Sequence, residues 1–142
     1  MQANLAAARA LLEQAADQGA ELAVLPEYFC VMGMHDTDKL KVQEEAGSGL
    51  IQDFLSQSAR ELRLWIVGGT LPTATGDANR ARNSSLAYAP SGACVARYDK
   101  MHLFRFSQGL EDHDETRVLD AGTQPVRFEL ASRDGHIYTV GM

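Results

Sequence analysis

The sequence predicts an α/β domain with a mixed sheet flanked by helices. Helical periodicity is twice followed by a short apolar run: Asn4 to Gln18 precedes Glu21 to Leu25, and Gly49 to Leu62 precedes Leu64 to Gly69. Helix followed by buried strand is half of a βαβ unit. Pro90-Ser91-Gly92 separates two further strand-like stretches, Asn83 to Tyr88 and Ala93 to Tyr98. Turn residues of this kind join a hairpin, so antiparallel pairs are expected as well.

Each element follows from its pattern. The first helix carries Leu5, Ala8, Leu11, Leu12 and Ala15 at spacings of three and four, and Gly19 stops it. Cys30 to Gly47 reads as an irregular loop. Ser48 is the candidate N-cap of the second helix, whose inner face is Leu50, Ile51, Phe54, Leu55, Ser58 and Leu62. The run LWIVGG is apolar almost throughout, which suggests a strand covered on both faces. Pro72 to Arg82 is polar and glycine-containing and reads as a loop, and Ser107 to Asp120 as a long acidic segment. Val126 to Leu130 and Ile137 to Val140 are strands around a turn at Arg133 to Gly135. The chain opens inside a helix and stops inside a strand, so it is expected to be a piece of something longer, with sheet edges left open.

Composition narrows the function. The 142 residues suit one domain with a real core. A net charge of −6, from 13 basic and 19 acidic side chains, argues against nucleic acid or an anionic membrane as partner. No apolar run approaches the ~20 residues of a membrane span. MQANLAAARALLEQ lacks the apolar core of a signal peptide, so a cytoplasmic location is expected. Cys30 and Cys94 are then reduced thiols, Cys94 a small buried hydrophobe in a strand. His35, His102, His113 and His136 are scattered and no zinc-like spacing occurs, so a metal site is not expected.

Two charged residues stand out. Glu27 follows Pro26, where the strand must end or reach an edge, and so lies just past the C-terminal end of a buried strand, where α/β sheets bind ligands. Tyr28 and Phe29 beside it would desolvate the carboxylate and favour a general base; read alone, an exposed loop glutamate is the simpler account. Lys100 follows the strand Ala93 to Tyr98 among apolar neighbours. Paired with a carboxylate such as Glu27 it would stay charged and could donate to an oxyanion on an amide carbonyl; read alone, a lysine whose stem snorkels over the surface is the simpler account. Glu115 lies in an acidic loop, and Glu111 competes with it for any role.

LPEYF (Leu25 to Phe29), WIVGGT (Trp65 to Thr70), RNSSLAYAPSG (Arg82 to Gly92) and YDKMHLF (Tyr98 to Phe104) occur in one order. Together they resemble the nitrilase superfamily of carbon–nitrogen hydrolases, in the amidase branch that includes omega-amidase and deaminated-glutathione amidase. The resemblance implies an αββα sandwich, no metal or organic cofactor, a small amide as substrate, and a homo-oligomer for the complete protein. It implies a Glu-Lys-Cys mechanism: Glu27 as base, Lys100 stabilising the tetrahedral intermediate, and Glu115 orienting the lysine and substrate. Tyr28, Cys30 and His102 are expected to line the substrate site. The family's nucleophilic cysteine lies in a later block, after a strand like Tyr138 to Met142, and neither Cys30 nor Cys94 matches it. By this resemblance residues 1–142 are a partial domain without the usual first strand or the cysteine block, inactive alone. A non-catalytic module that keeps the Glu-Lys pocket is the alternative, and a flavodoxin-like domain is a third.

Overall fold

The computed structural model describes residues 1–109 and 111–142; the side chain of Glu111, the alternative to Glu115, lies outside the described set. Helix α1 (Gln2–Asp17) buries Leu5, Ala8 and Leu12. Leu11, expected on the same face, is 62% exposed, because it falls about 100° of helix rotation from Leu12. The helix ends as the glycine predicts: Gly19 takes a φ of 86°, its amide bonds to Ala16 O, and the Ala20 amide bonds to Ala15 O. That pairing is a Schellman motif, which a residue with a Cβ would strain.

Strand β1 (Leu22–Val24) pairs in parallel with β2 (Trp65–Val67). Strand β4 (Ala81–Tyr88) is the centre of the sheet. Along one edge it pairs antiparallel with β2 and with β3 (Leu71–Ala74), and along the other with β5 (Cys94–Asp99) across the expected hairpin. The stretch Pro72 to Arg82, expected to be a loop, therefore begins as a strand. Polar composition misled here because β3 is an edge strand, where proline is tolerated; Pro72 uses its carbonyl to accept the Glu44 amide at 3.1 Å.

The loop before α2 (Leu50–Leu62) is also more ordered than its sequence suggests, with a 3-10 turn at Asp36–Val42. Ser48 does not cap α2. Gly49 is the N-cap residue, and the orphan amides of Ile51 and Gln52 instead donate to the Glu44 carboxylate at 2.6 and 3.1 Å. The buried face is Ile51, Gln52, Leu55, Ser58 and Ala59, while Leu50 is turned half out to solvent.

The acidic segment after Phe104 folds as a hairpin, β6 (Arg105–Gln108) against β7 (Glu111–Asp114), followed by a 3-10 turn at Glu115–Arg117. Cross-strand charge complementarity favours it, as in the Arg105–Asp114 ion pair at 3.1 Å. Strands β8 (Arg127–Ala131) and β9 (Ile137–Gly141) form the last hairpin, in the positions the sequence marks.

Alternation along β4 divides the molecule into layers. Leu86 and Tyr88 face the helices and join Leu12, Ile51, Leu55 and Leu71 in the main core. Ala87 faces the other way, with Val67 and Ala96, and meets Phe128, Leu130 and Val140 of the β8–β9 hairpin. Trp65 fastens that hairpin: its ring stacks on Phe128 at 5.9 Å and its indole N–H donates to Ala131 O at 3.1 Å. Among the described residues no helix is long and apolar enough to cross a membrane.

Candidate active site

The chain turns sharply after β1. Leu25 still donates its amide to Val67 O, and Pro26 ends the ladder. Gly69, at φ 54°, lies so close beneath that a Cβ there would stand 2.0 Å from the Pro26 carbonyl oxygen. Only glycine lets the end of β2 pass under the Pro26–Glu27 turn. Thr70 then accepts the Tyr28 amide on Oγ1 at 2.9 Å, and Tyr28 holds a φ of 49°. Glu27 is thus carried on a turn anchored at two points to the next strand.

Lys100 emerges where β5 ends. Its amide donates to Asn83 O at 2.9 Å, continuing the β4–β5 ladder by one residue. Its carbonyl accepts the Gly122 amide at 2.9 Å, and Gly122 has no room for a side chain against Asp99. The Lys100 ammonium reaches Glu27 Oε1 at 3.1 Å and Glu115 Oε2 at 3.0 Å. Glu115 is positioned in turn by the main chain of Phe104: the Phe104 amide donates to Oε2 at 2.7 Å, and the Glu115 amide donates to Phe104 O at 3.0 Å. Three residues far apart in sequence therefore meet as one ammonium between two carboxylates.

Burial differs across the three. The Lys100 and Glu115 side chains are 24% and 16% exposed, whereas Glu27 is 53% exposed. The desolvated carboxylate expected from the aromatic neighbours of Glu27 is not found, because Phe29 turns into the helix-side core and leaves the carboxylate at the rim. Burial alone would lower the Lys100 pKa; the hydrogen bonds it donates to Glu115 and Glu27, and their charges, outweigh it and hold the pKa above the ordinary lysine value. The lysine is a permanent cation at neutral pH. Two of its three N–H bonds are committed to carboxylates, and the third can meet an incoming carbonyl oxygen.

Lys100 lines an apolar groove of about 390 Å³ together with Val24, Val67, Tyr98, Val140 and Met142. The remaining expected site residues are placed elsewhere. Cys30 does not line the groove: it is fully buried in the helix-side core, where burial pushes its thiol up to about 11. His102 is exposed and off the groove wall. Tyr28 lines a neighbouring hollow with Met34, His35 and His113, its ring under the Lys39 ammonium at 5.0 Å. Burial, then the charges of Glu115 and Glu27, push its hydroxyl pKa well up. Cys94, expected to be buried, is exposed opposite Tyr88, at the bulge where the β4–β5 register shifts.

One site residue escaped the sequence reading. Asn83, 1% exposed, donates its side-chain amide to Glu27 Oε1 at 2.7 Å. Its signal was a run of three polar residues, Asn83-Ser84-Ser85, opening an otherwise apolar strand.

Comparison with known proteins agrees with this architecture. A family model described as carbon-nitrogen hydrolase matches residues 1–141. A deaminated glutathione amidase of Synechocystis sp. is 39% identical over 102 residues, covering 71% of this chain and 37% of the relative. An omega-amidase NIT2 of Pongo abelii is 29% identical over 133 residues, covering 93% and 47%. The chain thus spans less than half the length of these relatives. Among solved structures, the C. elegans NitFhit protein superposes with a TM-score of 0.73 at 25% identity, over 87% of this chain and 30% of that one. Saccharomyces cerevisiae Nit3, a member of the nitrilase superfamily, gives 0.71 at 24% identity, over 93% and 46%. On its sequence, the chain belongs to the carbon-nitrogen hydrolase family.

Proposed function

We propose that this chain is the front portion of an amidase that hydrolyses the C–N bond of small carboxamides, as the names of its amidase relatives suggest. The observation that carries this reading is the ammonium of Lys100, held between Glu27 and Glu115 while the Lys100 side chain lines an apolar groove. Glu27 acts as general base, Lys100 as the donor to the oxyanion, and Glu115 as the group that holds Lys100 in place. The nucleophile is a cysteine supplied by residues following Met142 in the complete protein. Val140, Gly141 and Met142 line the groove together with Lys100. Neither Cys30 in the helix-side core nor Cys94 on β5 is a substitute.

In this mechanism the thiol sulfur attacks the amide carbonyl as Glu27 accepts the thiol proton. The carbonyl oxygen gains negative charge and is met by the third N–H of Lys100. Glu27 returns the proton to the departing nitrogen, the C–N bond breaks, and ammonia leaves a thioester. Glu27 then takes a proton from water as the water oxygen attacks the thioester carbonyl; the C–S bond breaks, Glu27 returns that proton to the departing sulfur, and the acid is released. The test is ammonia release from amides of small dicarboxylic acids by the full-length protein, with residues 1–142 alone expected to show no thiol-dependent turnover. A full-length protein silent on amides, nitriles and carbamoyl amino acids alike would overturn the reading.

A further inference from the structure

Among the described residues Glu27 receives two side-chain donors, and both reach the same oxygen. The Asn83 amide lies 2.7 Å from Oε1 and the Lys100 ammonium 3.1 Å from Oε1. Alternation along β4 puts Asn83 on the groove face, two residues from Ser85, which lines the groove beside Lys100. Its orientation is fixed by chemistry: with the amide turned over, its carbonyl oxygen would face the carboxylate, acceptor against acceptor. In the orientation that serves Glu27, Asn83 Oδ1 is buried with no hydrogen-bond partner among the described residues. A buried amide that leaves its own oxygen unsatisfied in order to donate to a carboxylate is held there at a cost to stability. The main chain of the same residue also accepts the Lys100 amide, so Asn83 locates both members of the ion pair.

We propose that Asn83 is a positioning residue: its side-chain amide pins Oε1 of Glu27 and so leaves Oε2 as the oxygen that exchanges protons during catalysis. With Lys100 as its only donor, the carboxylate could offer either oxygen and rotate about its terminal bond. The other ionisable groups facing Glu27 are Glu115, across Lys100, and Tyr28, next in sequence; neither donates to it in this structure. The catalytic consequence rests on the amidase reading, whereas the hydrogen bond itself does not.

Two measurements on the full-length protein test this separately. The first is the side-chain NH₂ signal of Asn83 in ¹⁵N NMR, compared between the parent and Glu27→Gln, which keeps Asn83 and the core intact. A donor to a carboxylate is expected to shift markedly when the acceptor becomes neutral. An unmoved signal overturns the proposal whether or not the protein is an amidase. The second is kcat and KM for Asn83→Ala and Asn83→Asp, with thermal melts to confirm folding. Losing the donor should cost about tenfold in kcat and leave KM nearly unchanged, since Asn83 acts through Glu27. Asn83→Asp fills the same volume but sets an acceptor against Glu27, so it should lose more activity than Asn83→Ala. A purely structural asparagine would give the reverse ranking, and that result overturns the catalytic role. If neither variant folds, the NMR comparison decides.

Discussion

Replacing Glu44 with alanine should destabilise the chain by about 2 kcal/mol, through a helix end that the side chain caps from outside the helix. Its carboxylate accepts the Ile51 amide at 2.6 Å, the Gln52 amide at 3.1 Å and the Gln52 side-chain amide at 3.1 Å. The Gln52 side chain would keep its bonds to Glu45 O and Ser48 O, so the loss centres on the two main-chain amides. Loss of a side-chain cap costs typically ~1 kcal/mol and at most about 2. Removing a negative charge from a helix N-terminus adds about 0.3–1 kcal/mol. Glu44→Gln keeps an acceptor but not the charge and should cost about 1 kcal/mol. Ser48→Ala, at the position the sequence marks as the cap, should stay within about 0.5 kcal/mol. Gly49 belongs to the same arrangement, since a Cβ there would stand 2.2 Å from Glu44 Cδ. Urea unfolding followed by circular dichroism measures all three variants. If Ser48→Ala costs as much as Glu44→Ala, or Glu44→Ala costs less than about 0.5 kcal/mol, the capping account is wrong.

Two further outcomes follow from burial and charge. A thiol reagent at pH 8 should modify exposed Cys94 in the native chain and reach Cys30 only on unfolding, because Cys30 is fully buried with its thiol pushed up to about 11; the native Cys94→Ser variant should be inert, and rapid native labelling of it would contradict the packing. Lys100 makes its contribution to stability as a cation. Its folded pKa lies above the unfolded 10.5, so that contribution is complete below 10.5 and is lost as pH rises through the folded value. The urea-midpoint gap between the parent and Lys100→Met should therefore be constant from pH 6 to about 9 and narrow by about pH 11; a gap that widens with pH would refute the ion-pair account.

Much of the fold was legible because burial imposes periodicity. The 3.6-residue stripe of α1, the apolar runs of β1 and β2, and the turn residues between β4 and β5 each state their element locally. What the sequence could not show was partnership across space. Nothing near Ser48 says that a glutamate four residues earlier will reach the helix end first. Nothing in Leu71-Pro72-Thr73-Ala74 says that Ala81 to Ser84 will pair with it. Leu11 and Leu50 were misplaced for a related reason: adjacent residues on a helix differ by about 100° of rotation, and it is Leu12 and Ile51 that the fold covers.

The candidate site shows the same division more sharply. Glu27 and Lys100 could be singled out because each follows a strand end, where the ladder releases a side chain. Whether Lys100 points at Glu27 depends on the face of the sheet the lysine inherits, and that is set by the register of β4 against β5. The pairing of Ser84 with Asp99 and Ser85 with Tyr98 carries Lys100 opposite Asn83 and turns both to the groove face. A one-residue slip would send the lysine to the helix side instead. Asn83 went unnoticed because a polar residue opening a strand is ordinary in sequence; its importance comes from standing opposite Lys100 while within reach of Glu27. The same register that builds the sheet thus brings the ammonium, the carboxylate and the amide together, so a change that shifted β5 by one residue would disperse the site before it unfolded the core.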